Sequence, residues 1–302
     1  MTTPATGAST SKPDSTSTPE TGTRTGTGIG RTGRADSDAH SRLVHRAIEL
    51  LCAEQGAQAP ADLDPGAQRA LLRALMNTRE PGPLHPEYLE VEGAILAAEA
   101  RARGTASWED AEASPIHPRM ALWRGDITRL AVDAVVNAAN SALLGCRVPG
   151  HACIDNAIHS AAGLQLREAC ATIMAQRQAA GLGPEPTGGA EITPGFHLPA
   201  RHVLHTVGPV VSGRLTDAHR AALASSYRSC LGLAASHGLR TVALCCVATG
   251  VFGFPQDEAA RIAVSTTAAF LDSAAPGASR VRVVFDVFGA RDEELYRREL
   301  GL

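Results

Sequence analysis

The chain has 302 residues and a formal net charge of -3. That length accommodates one domain of about 100 to 200 residues and an additional segment. The charge predicts no basic surface for nucleic acid, so we expect no nucleic-acid partner. No apolar run reaches the roughly 20 residues of a membrane span, and the seven scattered cysteines are atypical of a secreted domain. We therefore expect a cytoplasmic protein without membrane contact.

The N-terminal part divides into two segments of different composition. Residues 1–39 consist mainly of Thr, Ser, Gly, Pro and Ala, which cannot bury enough apolar surface to offset the entropy of ordering. We predict a disordered tail there. Residues 40–118 contain three apolar stripes at helical spacing, which begin near Leu43, Leu71 and Tyr88. These stripes predict a small helical extension.

Residues 119–302 alternate between strand-like and helical segments. Apolar runs rich in β-branched residues predict buried strands at 121–123, 132–137, 203–207, 241–247 and 281–287. Helical patterns predict helices at 160–180, 217–236 and 257–272, and a terminal helix from Arg291. Such alternation is typical of an α/β fold, a largely parallel sheet covered by helices on both faces. Ligands in this class bind at the carboxyl ends of the strands.

The polar stretch at residues 137–159 leaves a predicted strand and enters a helix, so it lies at the predicted ligand-binding edge. Cys146, His151 and Cys153 offer two sulfurs and an imidazole, a donor set typical of zinc. Catalytic zinc is commonly held by three protein ligands and structural zinc by four, so the count favours a catalytic site with one zinc per chain. The alternative interpretation is a loop with two unrelated thiols and a surface histidine.

Asp126 follows the first predicted strand, in the sequence Trp-Arg-Gly-Asp-Ile-Thr. Its carboxylate suits a hydrogen bond from an exocyclic amine such as adenine N6, with the backbone NH of Ile127 donating to a ring nitrogen. A single Asp after a strand is more often a helix cap, and in isolation we favour that interpretation.

A loop with two glycines, residues 248–255, joins a predicted strand to a predicted helix. Glycine lets the backbone approach a ligand closely, and successive NH groups before a helix form an anion site that suits a diphosphate. The loop lacks the lysine of a Walker motif and the spacing of a dinucleotide fingerprint, so a tight turn is the alternative.

The remaining cysteines and histidines carry weaker signals. Most of these cysteines lie on predicted strands or helices, where a free thiol is commonly a small core residue. His202 and His205 flank strand positions, and we expect packed or surface side chains there instead of metal ligands. The strongest signals for a metal site therefore lie in residues 137–159.

Together these segments resemble the macrodomain family. The sequence Gly-Cys-x-x-Pro-x-His-x-Cys-Ile-Asp-Asn at residues 145–156 is similar to the zinc-dependent, microbial, sirtuin-linked branch of that family. The resemblance covers roughly residues 119–290, and residues 71–79 are similar to the N-terminal extension of that branch. It implies a macrodomain-like three-layer α/β/α fold with a largely parallel mixed sheet, spanning residues 119–302.

The resemblance also implies roles for individual residues. Asp126 and Ile127 would bind adenine, and Asn140 would bind a hydroxyl of the distal ribose. Asp155 occupies the position of the acidic residue that orients or deprotonates water in hydrolytic macrodomains, so Asn140 and Asp155 are the expected catalytic residues. Phe254 would line the distal ribose, and the diphosphate would be bound by Thr249, Gly250, Val251, Phe252 and Gly253.

The sequence supports three hypotheses about function. The first is a hydrolase that removes mono-ADP-ribose from an N- or O-glycosyl linkage to protein, with catalytic zinc held by Cys146, His151 and Cys153. The resemblance suggests a lipoyl-carrier protein, modified by a sirtuin-like transferase, as its partner. The second is a non-catalytic ADP-ribose-binding module, which needs neither Asp155 nor the metal donors. The third is hydrolysis of small ADP-ribose derivatives such as O-acetyl-ADP-ribose.

Overall fold

A computed structural model describes the backbone of residues 29–302 and the side chains from residue 37 onward. The first helix begins at Ile29, inside the segment for which the sequence predicts disorder. The rest of that prediction, residues 1–28, lies outside the described residues. Residues Ala39–Leu302 form one compact unit.

Three helices form the extension: α1 (Ile29–Glu54), α2 (Pro65–Thr78) and α3 (Pro86–Arg103). Helix α2 begins as the sequence predicts, because Asp64 accepts a hydrogen bond from the backbone NH of Ala67 and caps the first turn. The apolar stripes of the three helices pack into one buried cluster, which also contains Leu164 from a later helix. The extension therefore shares a core with the α/β part of the chain.

The described strands are β1 (Glu112–Ala113), β2 (Met120–Arg124), β3 (Ala134–Ala138), β4 (Ala190–Pro194), β5 (His202–Thr206), β6 (Thr241–Leu244) and β7 (Arg282–Val287). They form one sheet in the order β1-β2-β7-β6-β3-β5-β4. The five inner strands are parallel, and the edge strands β1 and β4 pair antiparallel. Strands β3 and β6 are almost wholly buried, as expected for apolar, β-branched runs covered on both faces.

The helices that cover the sheet are α4 (Ile154–Ala162), α5 (Leu164–Ala179), α6 (Asp217–Ser236), α7 (Gln256–Leu271) and α8 (Ala290–Leu300). Helices α4 and α5 pack together on one face, and α6, α7 and α8 pack together on the other. This arrangement confirms the predicted three-layer α/β/α fold with a largely parallel mixed sheet. Within the described residues, no helix combines the length and the apolar character that crossing a membrane requires.

Several details of the predicted elements are wrong. The strand predicted at 241–247 ends at Leu244, and the helical region predicted from residue 160 begins at Ile154. The single helix predicted at 160–180 is interrupted at Gly163, which has a φ of 90° and where an added Cβ would lie 2.7 Å from Glu92 Oε2. Because only glycine fits this backbone, α4 ends and α5 begins there. The edge strand β1 was not predicted, since it is short and exposed, and no bounds were predicted for β4, which is half-exposed and lacks an apolar run.

Candidate active site

The carboxyl ends of β2, β7, β6 and β3 lie side by side, because these strands are parallel neighbours in the sheet. Asp126 follows β2, a loop at residues 141–153 (the cysteine loop) follows β3, and a loop at residues 248–255 (the glycine loop) follows β6. Leu143 of the cysteine loop and Phe252 of the glycine loop pack in one apolar cluster. The structure therefore brings the predicted motifs to one edge of the sheet.

The cysteine loop gathers three donors that fit a metal ion. The donor atoms of Cys146, His151 and Cys153 lie within 4.8 Å of one another, and Cys146 Sγ is 3.5 Å from His151 Nδ1. All three residues are half-buried. Burial, reinforced by the neighbouring Cys146 thiol, raises the pKa of Cys153 to about 11. Two sulfurs and one imidazole at this spacing suit zinc, and binding would release thiol protons because the ligand is the thiolate.

Asp155 lies in the first turn of α4, two residues after Cys153, and only 5% of its surface is exposed. Asn137 Nδ2 donates a hydrogen bond of 2.8 Å to Asp155 Oδ1. Burial raises the pKa of Asp155 to about 6, and the hydrogen bond from Asn137 and the charge of Arg167 oppose that rise. A carboxyl group with a pKa just below neutrality suits the acceptance and return of a proton.

Behind Asp155 the structure places a buried polar network that the sequence analysis missed. Asn137 Nδ2 is also 3.2 Å from His205 Nδ1, and Thr193 Oγ1 is 3.0 Å from His205 Nε2. Burial lowers the pKa of His205 to about 3, so the ring is neutral. His205 is packed, as expected, yet it is linked to Asp155 through Asn137. Only the tertiary structure shows this link, because the residues lie on three different elements.

Asn140 uses its side chain to shape the cysteine loop. Its Nδ2 donates to Gly145 O at 3.1 Å, and its Oδ1 accepts from Ala142 N at 3.0 Å. Gly145 has a φ of 79°, and an added Cβ would lie 2.9 Å from the His159 ring, so glycine is required there. Asn140 thus lies at the predicted edge, and its contact with a ribose stays a prediction.

Asp126 caps a 3-10 turn, Ile127–Arg129. Its Oδ1 accepts from Thr128 N at 3.0 Å and from Thr128 Oγ1 at 2.7 Å, while Ile127 is buried. The cap that the sequence favours in isolation is therefore present. Among the described residues, no hydrogen bond reaches Asp126 Oδ2, and one carboxylate can serve a cap and a ligand through different oxygens.

The glycine loop folds tightly in front of α7. Gly253 N donates to Gly250 O at 3.0 Å and Phe254 N donates to Ala248 O at 3.0 Å, while Ala248 adopts a φ of 67°. Val251 is 77% exposed, whereas Phe254 is 2% exposed and packs in the main core. The ring of Phe254 therefore belongs to the core. Phe252 is half-buried and packs against both the main core and the cluster that contains Leu143.

Phe288 is a further candidate that the sequence analysis missed. It directly follows β7 and is 79% exposed. Gly125 N, next to Asp126, donates to Val287 O at 3.0 Å, so Phe288 and Asp126 follow adjacent strands. The sequence does show an aromatic residue directly after the last predicted strand. It does not show that this strand lies beside the one that precedes Asp126, so Phe288 could not be assigned to the site from the sequence.

An α/β domain with candidate metal donors, a buried carboxylate and a glycine loop at one sheet edge is typical of a ligand-binding domain of the parallel-sheet class. A family model described as the Macro domain matches residues 136–263. A protein-ADP-ribose hydrolase of Treponema medium is 48% identical over 259 residues, 83% of this chain and 95% of that protein. The chain belongs to the macrodomain family.

Further similarities agree with this assignment. A protein-ADP-ribose hydrolase of Staphylococcus aureus (strain MSSA476) is 44% identical over 229 residues, 75% of this chain and 82% of that protein. The structure of a Trypanosoma brucei macrodomain in complex with ADP-ribose aligns with a TM-score of 0.54 and 31% identity, covering 79% of this chain and 96% of that one. Two of these relatives are named for hydrolysis of protein-ADP-ribose, and the third was solved with ADP-ribose bound.

Proposed function

We propose that this chain hydrolyses the bond between the distal ribose of ADP-ribose and a protein side chain, using zinc held by Cys146, His151 and Cys153. One observation carries the proposal. The three donor atoms lie within 4.8 Å of one another, and the buried carboxylate of Asp155 follows Cys153 by two residues. A module that only binds ADP-ribose needs neither feature. The name protein-ADP-ribose hydrolase, carried by two relatives, supports the same reaction class.

The nucleotide end of the substrate would bind away from the cysteine loop. Asp126 would accept a hydrogen bond from adenine N6 through Oδ2, and the exposed ring of Phe288 offers a surface on which the base can stack. Residues 249–253 precede α7, and the backbone NH groups of residues 249–252 suit the diphosphate, whereas that of Gly253 donates to Gly250 O within the loop. The T. brucei macrodomain in complex with ADP-ribose supports this class of ligand.

The chemistry at the distal ribose would be divided between the cysteine loop and α4. Zinc held by Cys146, His151 and Cys153 would supply Lewis-acid chemistry at the distal ribose. Asp155 Oδ would take a proton from water and return it to the departing side chain, which its pKa of about 6 permits near neutrality. Asn140 would orient the distal ribose, and Asn137 would hold the Asp155 carboxylate in place.

The substrate class we propose is a protein that carries a single ADP-ribose on an N- or O-glycosyl linkage. Residues 147–150 of the cysteine loop are exposed, and Val148 is 58% exposed, so a folded protein can approach the donors. The resemblance of residues 145–156 to the sirtuin-linked branch favours a lipoyl-carrier protein modified by a sirtuin-like transferase as the specific partner.

The experiment is to incubate the zinc-loaded protein with a mono-ADP-ribosylated carrier protein and to follow loss of the modification by mass spectrometry. Release is expected with the unmodified chain and strongly reduced release with Asp155→Ala. Binding of ADP-ribose without any release would support a binding module instead. Turnover of O-acetyl-ADP-ribose alone would shift the substrate to small ADP-ribose derivatives.

A further inference from the structure

The C-terminal end of α2 lies against the cysteine loop, although the two are far apart in the sequence. Asn77 is 1% exposed, and its Oδ1 accepts hydrogen bonds from Gly150 N at 3.1 Å and from Asn156 Nδ2 at 2.9 Å. Asn77 Nδ2 lies 3.3 Å from Ser160 Oγ. One buried amide of the extension therefore joins the cysteine loop to the first turns of α4.

Two further contacts connect the same helix end to the loop. Arg147 donates to Glu80 Oε2 at 2.7 Å and to the backbone carbonyl of Thr78 at 2.8 Å. Arg73 donates to Asn156 Oδ1 through Nε at 2.9 Å and Nη2 at 2.7 Å. Asn156 Nδ2 in turn donates to Val148 O at 3.1 Å.

These anchors are adjacent to the candidate metal donors. Arg147 directly follows Cys146, and Gly150 directly precedes His151. Asn156 comes three residues after Cys153, and its backbone NH donates to Cys153 Sγ at 3.4 Å. Each of the three donors therefore has a neighbour that is hydrogen-bonded to the extension.

A buried cation fixes the same junction from α5. Arg167 is 2% exposed and donates through Nε to Leu144 O of the cysteine loop at 2.9 Å. Its Nη1 donates to Met76 O and, at 2.9 Å, to Arg79 O, both at the end of α2. Because these acceptors are backbone carbonyls, Arg167 holds the backbone of the cysteine loop and of the end of α2 whatever side chains those segments carry.

We propose that the C-terminal end of α2, chiefly through Asn77, positions the cysteine loop for metal binding, so that the extension is part of the active site. This inference rests on the proposed function, because it takes the three donors as zinc ligands. A loop with glycines at 145 and 150 would lose conformational entropy on gathering three donors. Anchoring it beforehand lowers that entropy cost, and residues that orient metal ligands commonly affect metal affinity by about 10- to 100-fold.

The test compares Asn77→Ala with a matched variant of the same helix, Arg69→Ala. Arg69 Nη2 donates to Glu99 Oε2 at 2.9 Å, so its loss disturbs the packing of α2 on α3 and leaves the contacts to the cysteine loop intact. Zinc affinity is measured by competition with a chromogenic chelator. Amide hydrogen exchange of residues 145–153 is measured on the metal-free proteins, and ADP-ribose binding serves as the check of folding.

Asn77→Ala is expected to bind zinc about 10- to 100-fold more weakly and to exchange the loop amides faster, with ADP-ribose affinity unchanged. Arg69→Ala is expected to match the unmodified chain in zinc affinity and loop exchange. Equal zinc affinity in Asn77→Ala and the unmodified chain would overturn the inference alone, as would equal weakening in Arg69→Ala. Failure of the unmodified chain to bind zinc would overturn the proposed metal site and the inference with it.

Discussion

Asn137 on β3 donates a hydrogen bond of 2.8 Å to Asp155 on α4, so a strand residue fixes the orientation of the candidate catalytic carboxylate. The Asn137 amide also lies 3.2 Å from His205, whose other ring nitrogen is 3.0 Å from Thr193 Oγ1. All four side chains are buried. Buried polar groups need hydrogen-bond partners to offset the cost of leaving water. The side chains of the sheet that form this network therefore hold the Asp155 carboxylate in place.

Asn137→Ala is expected to reduce kcat while zinc content and ADP-ribose affinity stay unchanged. The variant removes a hydrogen bond to a charged group, which is worth about 1.5 to 3 kcal/mol, or roughly 10- to 100-fold in rate. Steady-state release of ADP-ribose from a modified protein measures the effect. Thr193→Val breaks the network at its far end and should lower kcat less. An unchanged kcat in Asn137→Ala would remove Asn137 from the positioning of Asp155.

Asp126 has a cap role and a proposed adenine role that two substitutions separate. Asp126→Ala removes both, whereas Asp126→Asn keeps an oxygen that can accept from Thr128 N. Both variants are expected to weaken ADP-ribose binding, by about 1.5 to 3 kcal/mol for the Ala variant. Isothermal titration calorimetry gives the affinity, and thermal unfolding should show lower stability in Asp126→Ala alone. Unchanged affinity in both variants would leave Asp126 as a cap only.

The fold could be predicted largely from local patterns. Helix α6 begins at Asp217 and ends at Ser236, the predicted bounds, because a polar cap precedes a long helical stripe. The inner strands were predicted because parallel strands are apolar on both faces. The bounds of the edge strand β4 were not predicted, since it exposes part of its surface and ends at Pro194. The gap at Gly163 depends on the side chain of Glu92, which no local pattern reveals.

The candidate site could be predicted only where its residues are close in the sequence. Cys146, His151 and Cys153 lie within eight residues, and the structure places their donor atoms together. The partners Asn77 and His205 come from distant elements, so their contacts with residues near the donors appear only in the tertiary structure. The spacing of residues in the sequence can reveal a set of candidate metal ligands. The residues that position those ligands come from other helices and strands, so only the packing of these elements reveals them.

Glu92 on α3 is expected to make stability depend on pH. It is 2% exposed and accepts hydrogen bonds from Tyr88 OH and Leu164 N, each at 3.0 Å. Burial raises the pKa of Glu92 from 4.5 to about 7, against the opposing effect of both hydrogen bonds. The folded state therefore binds a proton more tightly than the unfolded state. Its contribution to stability is complete below pH 4.5 and is lost as the pH rises to about 7.

Glu92→Gln keeps an acceptor for both hydrogen bonds and cannot titrate. Relative to this variant, the unmodified chain should lose about 2 to 3 kcal/mol of unfolding free energy between pH 5 and pH 8. Urea unfolding of both proteins at several pH values gives the difference between their unfolding free energies. The titration of other groups is common to both proteins and cancels in that difference. Parallel pH profiles for the two proteins would show that Glu92 has an ordinary pKa in the folded state.

Cys153→Ser separates the proposed metal role of this residue from its role as the cap of α4. Cys153 Sγ accepts from Asn156 N at 3.4 Å, and a serine hydroxyl is a good acceptor at a helix cap. The substitution therefore keeps the cap and replaces a soft thiolate with a weakly ligating hydroxyl. If the metal is catalytic, we expect loss of ADP-ribose release and of bound zinc, with ADP-ribose binding retained and little change in the melting temperature.

A structural metal would give a different result with the same variant. Metal-binding free energy would then contribute to folding, so Cys153→Ser would lose stability together with activity. Cys52→Ser, which alters a buried thiol of the extension, controls for nonspecific effects of cysteine replacement. Elemental analysis of the unmodified chain should give about one zinc per chain for a three-ligand site. Full turnover by thoroughly metal-free protein would refute the zinc mechanism and leave Asn140 and Asp155 to carry the hydrolysis without a metal.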